Sequence, residues 1–195
     1  MERLGMKKAN IEAGKKWIES LRLWINRKDT LNRLVRDVAN MRLKHLAKTW
    51  PAVDYATQRE LYARLAGVVI REALSHIEAD DTTREGGKAL ELCENFRETT
   101  TGEWFATIRA LRGAGHGVTI PADSIWREAN AANAILAAVS LAAYGPDQVT
   151  TLAVAARYAA KASGPSSYLE SDWSKRRDAA ARMLEPMLKA MEAAV

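Results

Sequence analysis

The sequence predicts an all-α protein, a single compact bundle of about eight helices with no significant β-sheet. Apolar residues recur every three or four positions in successive segments, and no segment alternates with the period of two that a β-strand shows. The 11 glycines and 5 prolines are interpreted as breaks between these periodic segments. Residues 129–163 contain 14 alanines in 35 positions, and alanine is the strongest helix former.

The first two helices are predicted from their apolar stripes. The first covers about 6–26, and Asp29 is expected to cap the second, which covers about 30–50. Pro51 ends the second helix because the residue before a proline avoids the helical conformation. The apolar stripe of the second helix is predicted to consist of Leu31, Leu34, Val35, Val38, Met41 and Leu46.

The next three helices are predicted from apolar spacing and capping residues. A third helix covers about 54–79. Thr82 and Glu85 are three residues apart and match a capping box, which opens a fourth helix that ends near Phe96. A shorter fifth helix covers about 102–111.

The last three helices include the alanine-rich part of the chain. Two small-residue helices, 123–143 and 147–163, are joined by a Gly-Pro turn and are expected to pack as a close antiparallel pair at the centre of the protein. The final helix covers about 167–194, and Pro186 should kink it or restart it.

Charge is distributed unevenly along the chain. Residues 1–50 carry 13 Lys and Arg against 5 Asp and Glu, a balance of +8, whereas residues 51–103 carry 6 against 11, a balance of −5. Residues 104–195 carry 10 against 8, a balance of +2. We therefore predict a basic N-terminal helical hairpin, 1–50, packed on an alanine-rich core domain, 51–195.

The cysteine and hydropathy content predicts a soluble cytoplasmic protein. A single cysteine, Cys93, excludes an internal disulfide and favours a reducing compartment, where we expect it to be a small buried side chain. The first residues lack the continuous apolar core of an export signal. The alanine-rich run is broken by its Gly-Pro turn into halves shorter than the ~20 apolar residues that a membrane span needs.

The histidines are the first candidates for chemistry. His76 has Glu72 and Asp80 one turn away on either side, which is the spacing of a metal site and also of ordinary charged pairs. His116 lies within the glycine-rich segment 113–117, either as a mobile acid or base or as part of a simple turn. No nucleophile elbow, phosphate-binding loop or zinc-protease motif is present. We predict no metal and no cofactor.

Basic residues interleaved with tryptophans form the second candidate site. Such a pattern can hold nucleic-acid phosphates or an acidic protein partner, and a solvated basic surface is the alternative. The basic stretch covers residues 7–48. The residues assigned to a ligand or partner surface are Trp17, Trp24, Arg33, Arg36, His76, Trp104, Arg109, Arg112 and His116.

Several segments together resemble a known family. The stretch 81–84, with Phe96 after it, looks like the aspartate-arginine segment and aromatic-ended helix of that family, and 148–160 looks like its small-residue helix. A closing helix with Trp173 is similar as well. Over about residues 59–184 the chain therefore resembles the helical immunity proteins of bacterial polymorphic toxin systems.

The resemblance implies a binding protein and no reaction. We therefore expect a non-enzymatic protein of bacterial or phage origin that neutralises or sequesters a partner, as an immunity or counter-defence inhibitor does, with a protein as its partner. One alternative is a nucleic-acid-binding protein that acts through residues 7–48. A second alternative is a small-ligand-binding protein or metal-dependent helical enzyme. Its pocket would lie near His76, Trp104, Arg109, Arg112 and His116.

Overall fold

The computed structural model describes eight helices and no strand within residues 15, 18–27, 30–50, 54–78, 81–114, 122–144, 149–164 and 170–194. These helices are α1 (18–25), α2 (Arg33–Thr49), α3 (Tyr55–Leu74), α4 (Asp81–Glu94), α5 (Thr101–Ala114), α6 (Ala122–Tyr144), α7 (Val149–Ala162) and α8 (Glu170–Ala193). The predicted all-α bundle of about eight helices is confirmed.

Two helix starts are fixed by side chains that accept backbone hydrogen bonds. Asn32 caps α2 by accepting the N–H of Val35 at 3.0 Å, so the helix begins later than predicted. The expected cap, Asp29, lies outside the described residues. Asp54 caps α3 by accepting the N–H of Thr57 at 2.9 Å, as an N-cap aspartate does.

The capping box is found one helix later than predicted. Thr82 lies inside the first turn of α4, and Glu85 accepts a hydrogen bond from Lys88 at 2.9 Å. At the start of α5, the N–H of Thr100 donates to Glu103 at 2.7 Å, while the N–H of Glu103 donates to the Thr100 hydroxyl at 3.3 Å. This reciprocal pair is a capping box.

Alanines make up much of the contact between α6 and α7. These two helices make the most extensive contact of any helix pair within the described residues, and α3 packs against both. Small side chains allow backbones to approach closely, so the predicted alanine-rich pair lies in the core. Its fully buried alanines are Ala131, Ala134, Ala138, Ala142, Ala155, Ala156, Ala159 and Ala162.

Gly86 and Pro186 lie inside helices and not between them. Gly86 lies inside α4, and a Cβ atom there would stand 2.8 Å from Leu74 and 3.0 Å from Ile135. Its missing side chain therefore lets α4 lie close to α3 and α6. Pro186 lies inside α8, which continues through it, so the helix does not restart there. The alternative, a kink at Pro186, stays a prediction.

The two N-terminal helices join the same hydrophobic cluster as the rest of the bundle. Ile18, Leu21 and Ile25 of α1 and Leu43 of α2 are buried in that cluster, and α2 packs on α8. The division of the chain after residue 50 stays a prediction. Among the described helices, none is long and apolar enough to span a bilayer.

Candidate functional site

The second helix carries apolar side chains on two faces. Its inner face buries Leu43 and Leu46 against the bundle. On the other side, Leu34 is 75% exposed, Val38 50% and Met41 74%. These three are spaced i, i+4 and i+7 and share one helix face, which we name the outer stripe. All three belong to the apolar stripe predicted for this helix, and the structure leaves them exposed.

A groove of about 310 Å³ lies between α2 and α8 beside the outer stripe. Leu184 and Leu188 of α8 are both buried and contribute to its lining. Leu34 and Val38 line it from α2, with Arg42 and Glu185 as its charged members. The stripe and the groove together form a continuous apolar surface with few polar groups.

Arg42 fixes the position of α2 on α8. Its guanidinium donates to Glu185 at 2.5 Å and to Glu192 at 2.7 Å and 2.8 Å. The hydrogen bonds with Glu192 raise the pKa of Arg42, despite an opposing effect of burial. Arg42 therefore has a structural role between the two helices. A ligand phosphate would have to displace two carboxylates to bind its guanidinium.

The remaining charges on α2 are mostly basic and exposed. The helix has five Lys and Arg against one acidic residue, Asp37. Arg33 is exposed and lies 3.8 Å from Asp37, and Arg36 is partly buried. Lys44 and Lys48 are exposed as well. The outer stripe is thus bordered by positive charge.

His76 belongs to an ion-pair cluster that joins α3 to α8. Its Nε2 lies 2.8 Å from a Glu72 oxygen, and Arg182 donates to the same carboxylate at 2.6 Å and 3.2 Å. Glu72 is 9% exposed. The predicted third member, Asp80, lies outside the described residues, within which no group of three metal-binding side chains occurs. The cluster thus holds two helices together through a buried carboxylate.

Glu72 is expected to make stability fall at acidic pH. Burial raises the pKa of Glu72, but the hydrogen bonds from His76 and Arg182 outweigh it and leave the pKa below its ordinary value. The folded state thus binds the proton more weakly than the unfolded chain, so the stabilisation is present at neutral pH and lost as the pH drops through the folded pKa.

Urea unfolding of the native chain and of Glu72→Gln from about pH 7 to about pH 3 measures this contribution. Glu72→Gln is expected to cost about 1 to 2 kcal/mol at neutral pH, at the low end for charged hydrogen bonds because Arg182 is half exposed. The difference should shrink below about pH 4. A difference that stays constant over this range would contradict the prediction.

The remaining predicted site residues are spread over the molecule. Trp104 is 1% exposed in the core, whereas Arg109 and Arg112 are exposed on the same helix, α5. Trp17 and His116 lie outside the described residues. Trp24 is buried and lines a small pocket together with Arg157.

A cleft of about 400 Å³ lies between α3 and α4. Its charges pair with one another: Glu60 contacts Arg64 at 2.6 Å and Arg97 at 3.0 Å. Cys93 lies in its wall, and burial raises the pKa of this thiol to about 12. A thiol of that pKa is protonated at neutral pH and is a poor nucleophile.

The protein is an all-α bundle. Its notable exposed feature, within the described residues, is the apolar outer stripe of α2. Comparison of the chain with protein-family models, with curated proteins and with solved structures finds no match. The predicted apolar stripe of α2 combined Leu34, Val38 and Met41 with Leu31 and Leu46, and it did not separate the exposed members from the buried ones. The available signal was the presence of apolar residues on two sides of one helix.

Proposed function

We propose that the protein is a non-enzymatic binding protein that neutralises or sequesters a protein partner. The observation that carries this proposal is the outer stripe, in which Leu34, Val38 and Met41 stay exposed on a helix already buried on its opposite face. Full burial of such a side chain contributes about 1.5 to 3 kcal/mol. Contiguous exposed apolar surface of this kind is typical of protein interaction sites.

The surface fits an amphipathic helix with acidic flanks. Anchors at i, i+4 and i+7 beside a groove are the pattern of helix-in-groove recognition. The groove lined by Leu184 and Leu188 can receive apolar side chains, and the excess of basic residues on α2 complements acidic ones. A second copy docked through the same face would bring basic residues against basic residues, which disfavours self-association.

The resemblance to immunity proteins supports the same kind of activity. Such a protein inhibits by covering a surface of its partner, and this requires an interface but no reacting group. The absence of common catalytic motifs from the sequence agrees with this interpretation. On this proposal the partner is a toxin or defence protein that presents an acidic helix.

Nucleic acid fits the surface less well. Arg42, which lines the groove, is held by Glu185 and Glu192, and Arg22 of α1 contacts Glu19 at 2.9 Å, so these two arginines are already engaged by carboxylates. Phosphates would also leave the outer stripe uncovered. Binding through residues 7–48 therefore serves as the competing outcome of the test.

Co-expression of the tagged protein with the products of neighbouring genes tests the proposal. We expect affinity capture to retain a protein partner, and Met41→Asp to weaken its binding at least about tenfold because a charge is placed in a desolvated contact. Val154→Asp is the matched control, since Val154 is also exposed, at 44%, but lies on α7. Circular dichroism checks that both variants stay folded.

Two results would overturn this proposal. One is that no partner protein is captured, or that Met41→Asp and Val154→Asp retain it equally. The other is that the native chain binds DNA or RNA with an affinity that falls steeply with salt and is insensitive to Met41→Asp. That second result would favour the nucleic-acid alternative.

A further inference from the structure

A small pocket lined by four basic side chains lies where the end of α1 meets α7 and α8. Its volume is about 150 Å³. The basic residues are Arg27, Arg157, Lys161 and Arg176, and the indoles of Trp24 and Trp173 form part of its wall. It is separate from the outer stripe and its groove, because Trp173 and Leu184 are about 16 Å apart along α8.

Helical spacing brings the basic residues of α7 and α8 to one place. Arg157 and Lys161 are four residues apart on α7 and share a face. Trp173 and Arg176 are three apart on α8, and the Arg176 guanidinium lies 5.6 Å from the centre of the Trp173 ring. This stacking helps to hold Arg176 at the pocket.

The turn after α1 places Arg27 at the same pocket. The N–H of Arg27 donates to the carbonyl of Trp24 at 3.2 Å, and the N–H of Thr30 donates to the carbonyl of Arg27 at 3.0 Å. The Thr30 hydroxyl donates to the Trp24 carbonyl at 2.9 Å. These three bonds help to hold Arg27 and Thr30 beside Trp24 at the pocket.

Four positively charged side chains meet at this pocket. Within the described residues, Arg27, Arg157 and Lys161 form no ion pair, in contrast to Arg42 and Arg182. Burial lowers the pKa of Lys161, and repulsion from the three neighbouring arginines lowers it further. The pocket would therefore gain stability from a bound anion.

We propose that this pocket binds a phosphate group, either as inorganic phosphate or as the monoester of a small molecule. Several converging cations match a multiply charged oxyanion, and guanidinium groups bind phosphate oxygens in a bidentate manner. The volume is below the range of sites for larger ligands, so it suits a phosphate group rather than a whole cofactor. The proposal is independent of the function assigned to the outer stripe.

Titration calorimetry at neutral pH and low ionic strength tests this site. Sodium phosphate is expected to bind saturably to the native chain, and Arg157→Gln to weaken binding about tenfold or more because a charged hydrogen bond is lost. Arg109→Gln is the control, since Arg109 is an exposed arginine of α5 outside the pocket. Sodium chloride at matched ionic strength is expected not to compete.

A second variant guards against a folding defect. Lys161→Met keeps the apolar part of the side chain and removes one repelled charge, so its thermal midpoint should equal or exceed that of the native chain while phosphate affinity falls. The titration is repeated with adenosine monophosphate and with adenosine. Tighter binding of the monophosphate than of phosphate identifies a monoester ligand, and equal binding identifies the free ion.

Three results would overturn the proposal. They are the absence of saturable phosphate binding, equal affinities for Arg157→Gln and Arg109→Gln, and binding of adenosine as strongly as its monophosphate. Binding of a single-stranded oligonucleotide in the absence of phosphate binding would equally contradict it, since that result indicates an extended nucleic-acid surface.

Discussion

Replacement of Trp104 by alanine is expected to lower the free energy of unfolding by about 3 to 5 kcal/mol. The indole is 1% exposed and lies on α5, which packs against α4 and α6. Truncation removes the largest fully buried side chain of the described residues and leaves a cavity that the surrounding helices can fill only in part. Urea unfolding followed by circular dichroism measures the change.

A phenylalanine at the same position separates volume from hydrogen bonding. The Trp104 indole N–H finds no acceptor within the described residues, so its removal costs little. Trp104→Phe should therefore cost clearly less than Trp104→Ala, about 1 to 2 kcal/mol. Phe105→Ala is the matched control, because Phe105 is 44% exposed and should cost less than about 1 kcal/mol. Equal effects of Trp104→Ala and Phe105→Ala would contradict the core assignment of Trp104.

The all-α fold class and the first residues of several helices could be predicted, because both depend on local chemistry. The alanine content and the apolar period favour a helix whatever its neighbours are. Asp54 was correctly placed at the start of α3, since a capping side chain needs only the N–H groups of the next turn. The start of α2 was misplaced because several polar residues precede it, and Asn32 is the one that caps.

The outer face of α2 could not be assigned from the sequence, since it depends on tertiary contacts. Periodicity identifies apolar positions but does not tell which of two faces meets α8. That orientation is fixed by Arg42, which contacts Glu185 and Glu192, residues 143 and 150 positions away. Nothing local to α2 reveals those partners, so Leu34 and Met41 looked like core residues.

The basic pocket was missed for the same reason. Arg27 and Arg157 are far apart in the sequence. They come to one pocket only when α1 packs near α7 and α8. A partial signal was present in α7, where Arg157 and Lys161 are one turn apart in an otherwise small and apolar helix. Arg157 is exposed and Lys161 is partly buried, so the pair marks a positively charged face of α7 that could have drawn attention to an anion site.

The second large effect on stability is expected from a substitution that enlarges a buried side chain. Ala138 is completely buried in α6, whose most extensive contact is with α7. Leucine there adds three carbons at a position with no accessible surface, so the helices around it must separate or neighbouring side chains must leave their preferred rotamers. We expect Ala138→Leu to lower the free energy of unfolding by about 2 to 3 kcal/mol.

Ala129→Leu in the same helix is the matched control, because Ala129 is exposed. Both substitutions replace alanine by leucine and therefore change helix propensity equally. Urea unfolding should leave this control within about 0.5 kcal/mol of the native chain. The sign of the Ala138→Leu effect is decisive, since a leucine that entered free space would bury apolar surface and stabilise the protein. Stabilisation would therefore show that free space lies beside Ala138, whereas a loss confined to Ala138→Leu shows that the core around Ala138 is closely packed.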